Sequence, residues 1–386
     1  MQAQYAPPDN STGPAMKTRI LVASETDPDP AVVREAGEAL ARGQIVIFPT
    51  ETVYGIGANA ADAKAMAELG RLKSRAPDKP YTLHLAGPEE AERYAGRLSP
   101  IAQRLIRKTW PGPLALVVPD RREGKSSGDA VVEDGIYYEG TVGLRCPSHP
   151  VGRAILRAAG VPVAASSANA AGAPAPHEAQ QALAAFDGQV PILVDAGRTP
   201  YARPSTVVRI GADDSWEVLR EGAITARRVA RLVRTRVLIV CTGNVCRSPM
   251  AVALIKRKLA DRLGCEPEEL EDRGIEVTSC GTGAPSGMPI SRHAAEVLAE
   301  RNLEADDHRS QPMTVDALLA ADYIWVMMRA HRDAATAAAP EAAERVRLMD
   351  PDGEDIGDPM GGDAGAYRTC LERLERAVAR RIEEIA

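Results

Sequence analysis

The sequence predicts an α/β fold with two domains, and three observations lead to this prediction. The chain has 386 residues, which is more than one ordinary hydrophobic core organises. Short runs of apolar and β-branched residues, such as 237–241 and 323–328, have the length of buried strands. Amphipathic helical patterns separate these runs, and strands that alternate with helices form parallel sheets covered by helices.

The charge is spread unevenly along the chain, whose formal net charge is −6. Residues 1–235 contain 28 basic and 26 acidic side chains, whereas residues 236–386 contain 19 basic and 27 acidic ones. The first part can therefore accept an anion such as a nucleotide more readily than the second. Its small positive excess does not match the electrostatic footprint of a nucleic-acid-binding surface.

The six cysteines have no regular spacing and no Cys-x-x-Cys pair, which argues against a disulfide scaffold and a zinc site. No apolar segment near residue 1 resembles a secretory signal, and no apolar run reaches the length of a membrane span. We therefore expect a soluble, cytoplasmic protein that has no membrane partner and no metal ligands of its own.

The first domain is expected to cover residues 17–234. Residues 1–16 are polar and Pro-rich, so we expect a disordered leader there. Elements are then predicted in this order: a helix at 29–42, a strand at 45–48, a Gly- and Thr-rich turn at 49–59 and a helix at 61–72. After the second helix, Lys73 and Arg75 are expected on one side of an extended segment.

Separated motifs follow one another through this domain. They are Phe48-Pro-Thr-Glu-Thr-Val-Tyr-Gly55, Lys73-Ser-Arg75, Tyr81-Thr-Leu-His84, Trp110-Pro-Gly-Pro-Leu114, Gly140-Thr-Val-Gly-Leu-Arg145, Ser166-Ser-Ala-Asn169, Arg203-Pro-Ser-Thr206 and Arg220-Glu-Gly222. In this order they resemble the YrdC-like threonylcarbamoyl-AMP synthases over residues 17–234. The resemblance implies a twisted α/β sheet with a concave basic face.

The resemblance also implies an enzyme that condenses L-threonine, bicarbonate and ATP into threonylcarbamoyl-AMP and pyrophosphate. The product would supply a threonylcarbamoyl-transferase complex that acts on tRNA, and Mg²⁺ is expected with the ATP. The nucleotide is assigned by resemblance to Lys73, Arg75, Lys79, Thr141, Ser167, Asn169 and Arg220. L-threonine is assigned in the same way to Thr52, His84, Arg145, Ala165 and Ser205.

These residue types suit that chemistry. A carbamate that attacks an α-phosphate needs alignment and positive charge rather than a covalent enzyme intermediate. A guanidinium such as that of Arg145 binds a planar carboxylate through two parallel hydrogen bonds. The plain alternatives are a buried core histidine at His84 and a turn cap at Ser205. An RNA-binding module is the alternative for the whole domain, and the small charge excess argues against it.

The second domain is expected to cover residues 235–386. A helix at 225–233 ends the first domain, and no Pro-, Gly- or Ser-rich linker precedes the strand that starts at Arg236. Further strands are predicted at 275–280, 323–328 and 345–349, and helices at 250–263, 291–301, 314–320 and 366–385. This alternation predicts a small parallel sheet with its ligand at the carboxyl end of the first strand.

Cys241 and Arg247 enclose the loop between that first strand and the following helix. Asn244 tolerates left-handed backbone, and Pro249 is expected in the first helical turn, with Ser248 as the N-cap. The loop amides and the helix N-terminus then converge and form a seat for a dianion. A thiol in this seat is expected to be a nucleophilic thiolate near neutral pH, whereas a structural thiol is the plain alternative.

Several motifs of this half resemble the low-molecular-weight protein tyrosine phosphatases. They are Cys241-Thr-Gly-Asn-Val-Cys-Arg-Ser-Pro249, Ser279-Cys-Gly-Thr282, His308-Arg-Ser310, Asp322-Tyr-Ile-Trp-Val-Met327 and Asp358-Pro359. The resemblance implies a flavodoxin-like fold and hydrolysis of phosphoprotein through a cysteinyl-phosphate intermediate, without a cofactor. Cys241 would be the nucleophile, Arg247 the phosphate clamp and Asp358 the acid and later the base.

The remaining roles concern the loop and the substrate. Ser248 can donate to the departing thiolate, and the resemblance assigns support of the loop to Asn244, Ser248, Ser279 and His308. Met360 replaces the aromatic residue that usually flanks a phosphotyrosine ring, whereas Val245 favours the tyrosine-type branch over relatives that act on phosphoarginine. A phosphoarginine phosphatase or a redox-sensing regulatory domain is the alternative. Cys246 could form a reversible disulfide with Cys241 under oxidation.

Overall fold

The computed structural model describes residues 17–74, 79–122 and 135–385. The expected leader at 1–16 and the expected nucleotide contact Arg75 lie outside these residues. The chain divides between Leu232 and Val233 into two compact units, whereas the predicted boundary follows residue 234. Within the described ranges, no helix combines the length and the apolar composition needed to cross a membrane.

The first unit is a mixture of strands and helices. Its strands are β1 (Arg19–Val22), β2 (Val46–Phe48), β3 (Gly55–Asn59), β4 (Thr82–His84), β5 (Leu114–Pro119), β6 (Tyr137–Tyr138), β7 (Thr141–Arg145), β8 (Val163–Ser167), β9 (Ile192–Asp195), β10 (Thr206–Ile210) and β11 (Trp216–Arg220). Its helices are α1 (Pro30–Ala41), α2 (Ala63–Lys73), α3 (Ala91–Ala95), α4 (Pro100–Thr109), α5 (Pro150–Ala159), α6 (Ala179–Phe186) and α7 (Ala226–Leu232).

In the described part of this unit, the strands form one mixed sheet. Its order is β1-β9-β2-β3-β8-β4-β7-β5-β10-β11, and β6 pairs with β7. Strands β4 and β7 run parallel, with His84 opposite Arg145 in their register. Because the carboxyl ends of parallel neighbours meet at one edge, these two side chains reach the same part of the molecule. Helices α1 and α5 cover one face through a buried cluster that includes Leu40, Phe48 and Ile155.

Side-chain caps and left-handed residues set the helix ends. Asp29, Asp62 and Ser99 accept hydrogen bonds from first-turn amides of α1, α2 and α4. Helix α2 continues to Lys73, and Ser74 ends it in the left-handed conformation, with φ of 45°. The expectation that Lys73 lies in an extended segment is therefore wrong, because the helix continues up to this left-handed cap.

The second unit has a parallel sheet with helices on both faces. Its strands are β12 (Thr235–Cys241), β13 (Ile275–Gly281), β14 (Tyr323–Val326) and β15 (Val346–Leu348), and its helices are α8 (Arg247–Leu263), α9 (Arg292–Ala299), α10 (Val315–Ala320), α11 (Arg329–Ala338) and α12 (Ala364–Arg381). The strand order β13-β12-β14-β15 is that of a flavodoxin-like sheet. A ligand is expected at the carboxyl end of β12, where the strand order reverses.

Successive residues of β12 face opposite layers of this unit. Val237 and Ile239 belong to the core that contains Leu254 of α8 and Leu371 of α12. Leu238 belongs to the other core, with residues from α10 and α11. This burial on both faces explains why the strand is an uninterrupted apolar run rather than an alternating one.

Helix α8 begins earlier than the sequence predicts. Its first residue is Arg247, and Cys246 is the residue that precedes it, so Ser248 lies inside the first turn and is not the N-cap. Pro249 still falls in that turn, where the missing backbone N–H leaves no helical hydrogen bond unmade. The hydroxyl of Ser248 is therefore free of a capping role and points to the thiol described below.

Candidate active sites

The first unit contains a cavity of about 340 Å³ at the edge where β4 and β7 end. Seven of the predicted site residues line it: His84, Thr141, Arg145, Ala165, Ser167, Ser205 and Arg220. Thr52 lies behind the wall, in contact with Arg145. Lys79 is exposed and is not among the lining residues. The cavity thus collects residues that the sequence separates by more than a hundred positions.

Arg145 is the central cation of this cavity. Its Nη2 donates to Glu51 Oε1 at 2.9 Å and to Thr52 Oγ1 at 2.6 Å. Glu51 also accepts from the amide of Ser148 at 2.9 Å, so the carboxylate is fixed from two sides. The buried Nε of Arg145 has no hydrogen-bond partner among the described residues. A buried guanidinium N–H without a partner favours an incoming acceptor such as a carboxylate.

Glu51 contacts the candidate site, and sequence reasoning missed it. It is 3% exposed and forms a buried ion pair with Arg145, which is 5% exposed. Its position in the Thr-rich turn after β2 looks like that of a solvated acid. The sequence offered one indication of this contact: an arginine that is buried at the end of a strand requires a buried acid nearby.

The second cation at the cavity, Arg220, closes its far side. Its Nε and Nη2 donate to the carbonyl oxygen of Ser205 at 3.3 and 2.9 Å. Burial, followed by the nearby charge of Arg145, lowers the pKa of Arg220. Gly222 permits this approach, because a Cβ there would lie 2.2 Å from the carbonyl oxygen of Pro204.

His84 faces Arg145 across the β4–β7 pair. Burial, reinforced by the positive charge of Arg145, lowers the pKa of His84 to about 3. The ring is therefore neutral at physiological pH, and its Nδ1 lies 3.2 Å from the carbonyl oxygen of Thr82. A neutral ring in this position can exchange hydrogen bonds with a substrate without adding a third positive charge.

Lys73 and the end of β8 form one connected group. The amino group of Lys73 donates to the carbonyl oxygens of Ser167, at 2.7 Å, and Asn169. The hydroxyl of Ser167 donates to Oδ1 of Asn169 at 2.5 Å. Three of the seven residues assigned to the nucleotide, Lys73, Ser167 and Asn169, are therefore together, and another of the seven, Arg75, lies outside the described residues.

In the second unit, the loop between β12 and α8 surrounds the sulfur of Cys241. The amide of Asn244 donates to Sγ at 3.2 Å, and Ser248 Oγ lies 3.0 Å from the same sulfur. Asn244 has a φ of 53°, the left-handed conformation expected for it. Gly281 of the neighbouring strand allows the loop to lie close, because a Cβ there would be 2.3 Å from the carbonyl oxygen of Thr242.

Side chains from three other segments hold the loop in this shape. Asn244 Nδ2 donates to Ser248 Oγ and to Ser279 Oγ, both at 2.8 Å. His308 Nε2 donates to the carbonyl oxygen of Asn244 at 2.6 Å. The amide of Gln311 donates to Asn244 Oδ1 at 2.8 Å, a contact that the sequence did not indicate. The predicted supporting residues thus converge on Asn244.

Arg247 and Asp358 face each other beside the loop. Arg247 is 1% exposed, and its Nη1 donates to the carbonyl oxygen of Ile356 at 3.0 Å. Its Nη2 donates to Thr242 Oγ1 at 3.2 Å and forms an ion pair with Asp358. The side chain of Asp358 is 37% exposed, so it is accessible from solvent. The predicted nucleophile, phosphate clamp and acid are therefore grouped at the carboxyl end of β12.

Two further predicted features lie near this group. Cys246 and Cys241 are both free thiols, and Cys246 Sγ lies 3.2 Å from Ser291 Oγ and 3.3 Å from the hydroxyl of Tyr367. The disulfide between the two cysteines stays a prediction. Met360 is 60% exposed, and its amide donates to Asp358 Oδ1 at 3.2 Å.

Comparison with known proteins gives a family for each unit. A family model of Sua5, YciO and YrdC, described as "Telomere recombination", matches residues 38–222, and the model "Low molecular weight phosphotyrosine protein phosphatase" matches residues 236–386. The threonylcarbamoyl-AMP synthase of Bacillus subtilis is 34% identical over 221 residues, which cover 56% of this chain and 62% of that protein. The protein-arginine-phosphatase of Geobacillus stearothermophilus is 34% identical over 154 residues, which cover 39% of this chain and 95% of that protein.

A solved structure, Sua5 of P. abyssi in complex with L-threonine, is similar in fold at 22% identity and a TM-score of 0.51. The match covers 94% of this chain and 98% of that one. The chain spans 62% and 57% of the length of two curated synthases that it matches. By its first unit the chain belongs to the Sua5/YciO/YrdC family, and by its second unit it belongs to the low-molecular-weight phosphotyrosine protein phosphatase family.

Proposed function

We propose that the first unit forms L-threonylcarbamoyl-AMP and pyrophosphate from L-threonine, bicarbonate and ATP. The observation that carries this proposal is that Arg145 lines the cavity and that its buried Nε has no hydrogen-bond partner among the described residues. A carboxylate would complete the hydrogen bonding of this guanidinium. L-threonine, whose complex with the related P. abyssi protein has been solved, provides such a carboxylate.

The reaction proceeds in two bond-forming stages. The amine of L-threonine and bicarbonate form a carbamate and release water, and a carbamate oxygen then attacks the α-phosphorus of ATP. The bond from this phosphorus to the pyrophosphate oxygen breaks as the new P–O bond forms. Arg220 and the group around Lys73 supply the positive charge and fixed dipoles that align the two reactants, because the protein provides no nucleophile.

The cavity does not provide a protein site for the Mg²⁺ that is expected with ATP. The residues that line it are hydroxyl, apolar and cationic ones and the neutral His84, and none of them carries a carboxylate. Within the described residues there is also no group of three His, Cys, Asp or Glu side chains suited to a metal ion. The ion would therefore enter on the phosphates of the nucleotide, as Mg²⁺ commonly does. No step of the proposal depends on it.

The test of this activity measures pyrophosphate release by the full chain with ATP, bicarbonate and each of the amino acids in turn. Release with L-threonine, and not with other amino acids, is expected. Salt-sensitive binding of tRNA without any threonine-dependent release of pyrophosphate would instead identify an RNA-binding module. In the proposed function, the product passes to a threonylcarbamoyl-transferase complex that modifies tRNA.

The second unit is proposed to hydrolyse phosphorylated side chains of proteins. This proposal depends on the grouping of the sulfur of Cys241 with the amide of Asn244, the hydroxyl of Ser248 and the Arg247–Asp358 pair. Loop amides, a helix N-terminus and a guanidinium together form a site for a phosphoryl dianion. A sulfur at the centre of such a site is placed to attack phosphorus.

Hydrolysis takes place in two steps that use the same carboxyl group. The thiolate of Cys241 forms a bond to phosphorus, the bond to the leaving atom breaks, and Asp358 donates its proton to that atom. Asp358 then removes a proton from water, which attacks phosphorus and releases the thiolate and inorganic phosphate. Ser248 stabilises the departing sulfur by hydrogen bonding, and Arg247 binds the phosphoryl oxygens throughout.

Phosphotyrosine is the proposed substrate, and phosphoarginine is a second candidate that two observations favour. Met360 presents an exposed thioether where a phosphotyrosine ring would be expected to find an aromatic neighbour. The similar Geobacillus stearothermophilus protein is a protein-arginine-phosphatase. The test compares kcat/KM for matched phosphotyrosine and phosphoarginine peptides, and Cys241→Ser should abolish turnover of both. Unchanged turnover in Cys241→Ser would exclude the cysteinyl-phosphate route.

A further inference from the structure

A buried histidine that the proposed mechanism does not use contacts the phosphate-binding loop. His331 lies in the first turn of α11 and is 4% exposed. Its Nε2 is 2.9 Å from Oγ1 of Thr242, although 89 positions separate the two residues in the sequence. The other ring nitrogen, Nδ1, is buried and has no hydrogen-bond partner among the described residues. Thr242 is therefore the polar contact of this ring with the loop.

Thr242 also forms a hydrogen bond with Arg247. Thr242 is an exposed residue of the loop, and its Oγ1 lies 3.2 Å from Nη2 of Arg247. A guanidinium can only donate, so the threonine oxygen accepts from Arg247, and the same hydroxyl group also bonds Nε2 of His331, in a direction set by the tautomer of the ring. One hydroxyl group thus connects the buried ring to the phosphate-binding cation.

His331 is neutral in this arrangement. Burial lowers its pKa first, and the charge of Arg247 lowers it further. Asp358 and Asp355 act in the opposite direction and have a smaller effect than burial. These three groups, one from α8 and two from the segment after β15, are the charged neighbours of the ring. A neutral ring can form a hydrogen bond with the hydroxyl of Thr242 without repelling Arg247.

The first turn of α11 is also fixed to the segment that carries the acid. The amide of Arg329 donates to Asp355 Oδ1 at 2.8 Å. The amide of Ile356 donates to the carbonyl oxygen of Met327, just before the helix, at 2.8 Å. Since Ile356 also accepts from Arg247, the helix start, the acid-bearing segment and the phosphate-binding cation form one connected network.

We propose that His331 and Thr242 form a positioning pair, which holds the Nη2 end of Arg247 in the orientation needed for phosphoryl transfer. The inference depends on the proposed phosphatase activity and adds two positioning residues to it. His331 acts only through Thr242, and Thr242 acts through Arg247. The arrangement therefore predicts that loss of the threonine hydroxyl makes the histidine irrelevant to the reaction.

The test uses the full chain and a double-mutant cycle. Thr242→Val keeps the shape and removes the hydroxyl, whereas Thr242→Ser keeps the hydroxyl. His331→Leu removes the ring nitrogen that bonds Thr242, whereas His331→Gln places a polar group near the position of Nε2. Thr242→Val and His331→Leu should each lower kcat/KM for p-nitrophenyl phosphate about 10- to 100-fold, which is the range for the loss of one hydrogen bond to a charged group. Each conservative variant should stay within about threefold of the wild type.

The cycle separates positioning from general damage. Thr242→Val combined with His331→Leu should be no less active than Thr242→Val alone, because the pair acts as one unit. If the losses of the two single variants multiply in the double variant, or if Thr242→Val has wild-type activity, the inference is overturned and the phosphatase function stays in place.

A binding measurement covers the case in which the wild type does not turn over p-nitrophenyl phosphate. Inorganic phosphate should then protect Cys241 from iodoacetamide in Thr242→Ser at lower concentration than in Thr242→Val, and equal protection would overturn the inference.

Discussion

His84 and Arg145 lie opposite each other at the carboxyl ends of two parallel strands, and burial together with the guanidinium lowers the pKa of His84 to about 3. We predict that this ring stays neutral from pH 8 to pH 4. Its NMR signal, assigned by its loss in His84→Gln, should not shift over that range. A midpoint near the ordinary value of about 6.5 would contradict the burial of this ring.

The same shift gives the direction of a stability change. Below pH 6.5 the unfolded chain gains a proton at this histidine, whereas the folded chain does not. The contribution of neutral His84 to stability is therefore complete above pH 6.5 and is lost as the pH falls towards 3. The unfolding temperature of the wild type should fall more steeply between pH 6.5 and pH 4 than that of His84→Gln. Parallel curves for the two proteins would be inconsistent with the shift.

The buried pair Glu51–Arg145 should be sensitive to the removal of its acid. Glu51→Ala leaves a buried guanidinium without its charged partner, and changes of this kind cost about 3–5 kcal/mol. Calorimetry should show a lower unfolding temperature for the transition of the first unit. Glu38→Ala is the matched control, because its ion pair with Arg42 is more than half exposed on both sides and contributes little. Similar losses in the two variants would show that burial of the pair is not the cause.

Asn244 should combine a backbone role with a role in the hydrogen-bond network. Asn244→Ala places a Cβ-bearing residue without a polar side chain at φ of 53°, at a cost of about 1–2 kcal/mol, and removes the contacts to Ser248 and Ser279. Asn302→Ala is the control, since Asn302 has a φ of 56° and lies after α9, away from the loop. Both variants should lose stability, and only the first should lose phosphatase activity. Equal activity in the two would exclude the network role.

A comparison of substrates with different leaving groups should show whether Asp358 is the general acid. Asp358→Asn cannot donate a proton, and general acid catalysis contributes about 10²–10⁴-fold. The loss should be largest for phenyl phosphate, whose leaving oxygen is the more basic, and smaller for the initial burst of p-nitrophenol from p-nitrophenyl phosphate. Rapid-mixing kinetics measure both. If the two substrates slow by the same factor, Asp358 does not protonate the leaving atom.

Features that depend on residues close together in the chain could be predicted from the sequence. The loop from Cys241 to Arg247 follows an uninterrupted apolar strand and precedes a helix, so local patterns are enough to indicate an anion site. The left-handed conformation of Asn244 is also a local property. The start of α8 was misplaced because the preference of Ser for an N-cap is weaker than the geometry that the loop imposes on Arg247.

Contacts between distant residues could not be predicted in this way. Glu51 and Arg145 are 94 positions apart, and Thr242 and His331 are 89 apart. Neither pair shows a periodic pattern, because each depends on the order in which strands lie in a sheet. In the first pair, the residue that was missed, Glu51, satisfies a buried polar group of the predicted residue Arg145. The resemblance to known families identified the site residues that were predicted. It gave no information on the residues that contact them.

The central claim is that this chain carries two separate phosphoryl sites, one for each unit. The most direct measurement assays both activities in wild type, Arg145→Ala and Cys241→Ser. Arg145→Ala should lose threonine-dependent release of pyrophosphate and keep hydrolysis of p-nitrophenyl phosphate, and Cys241→Ser should show the reverse. A variant that loses both activities, or neither, would contradict the claim.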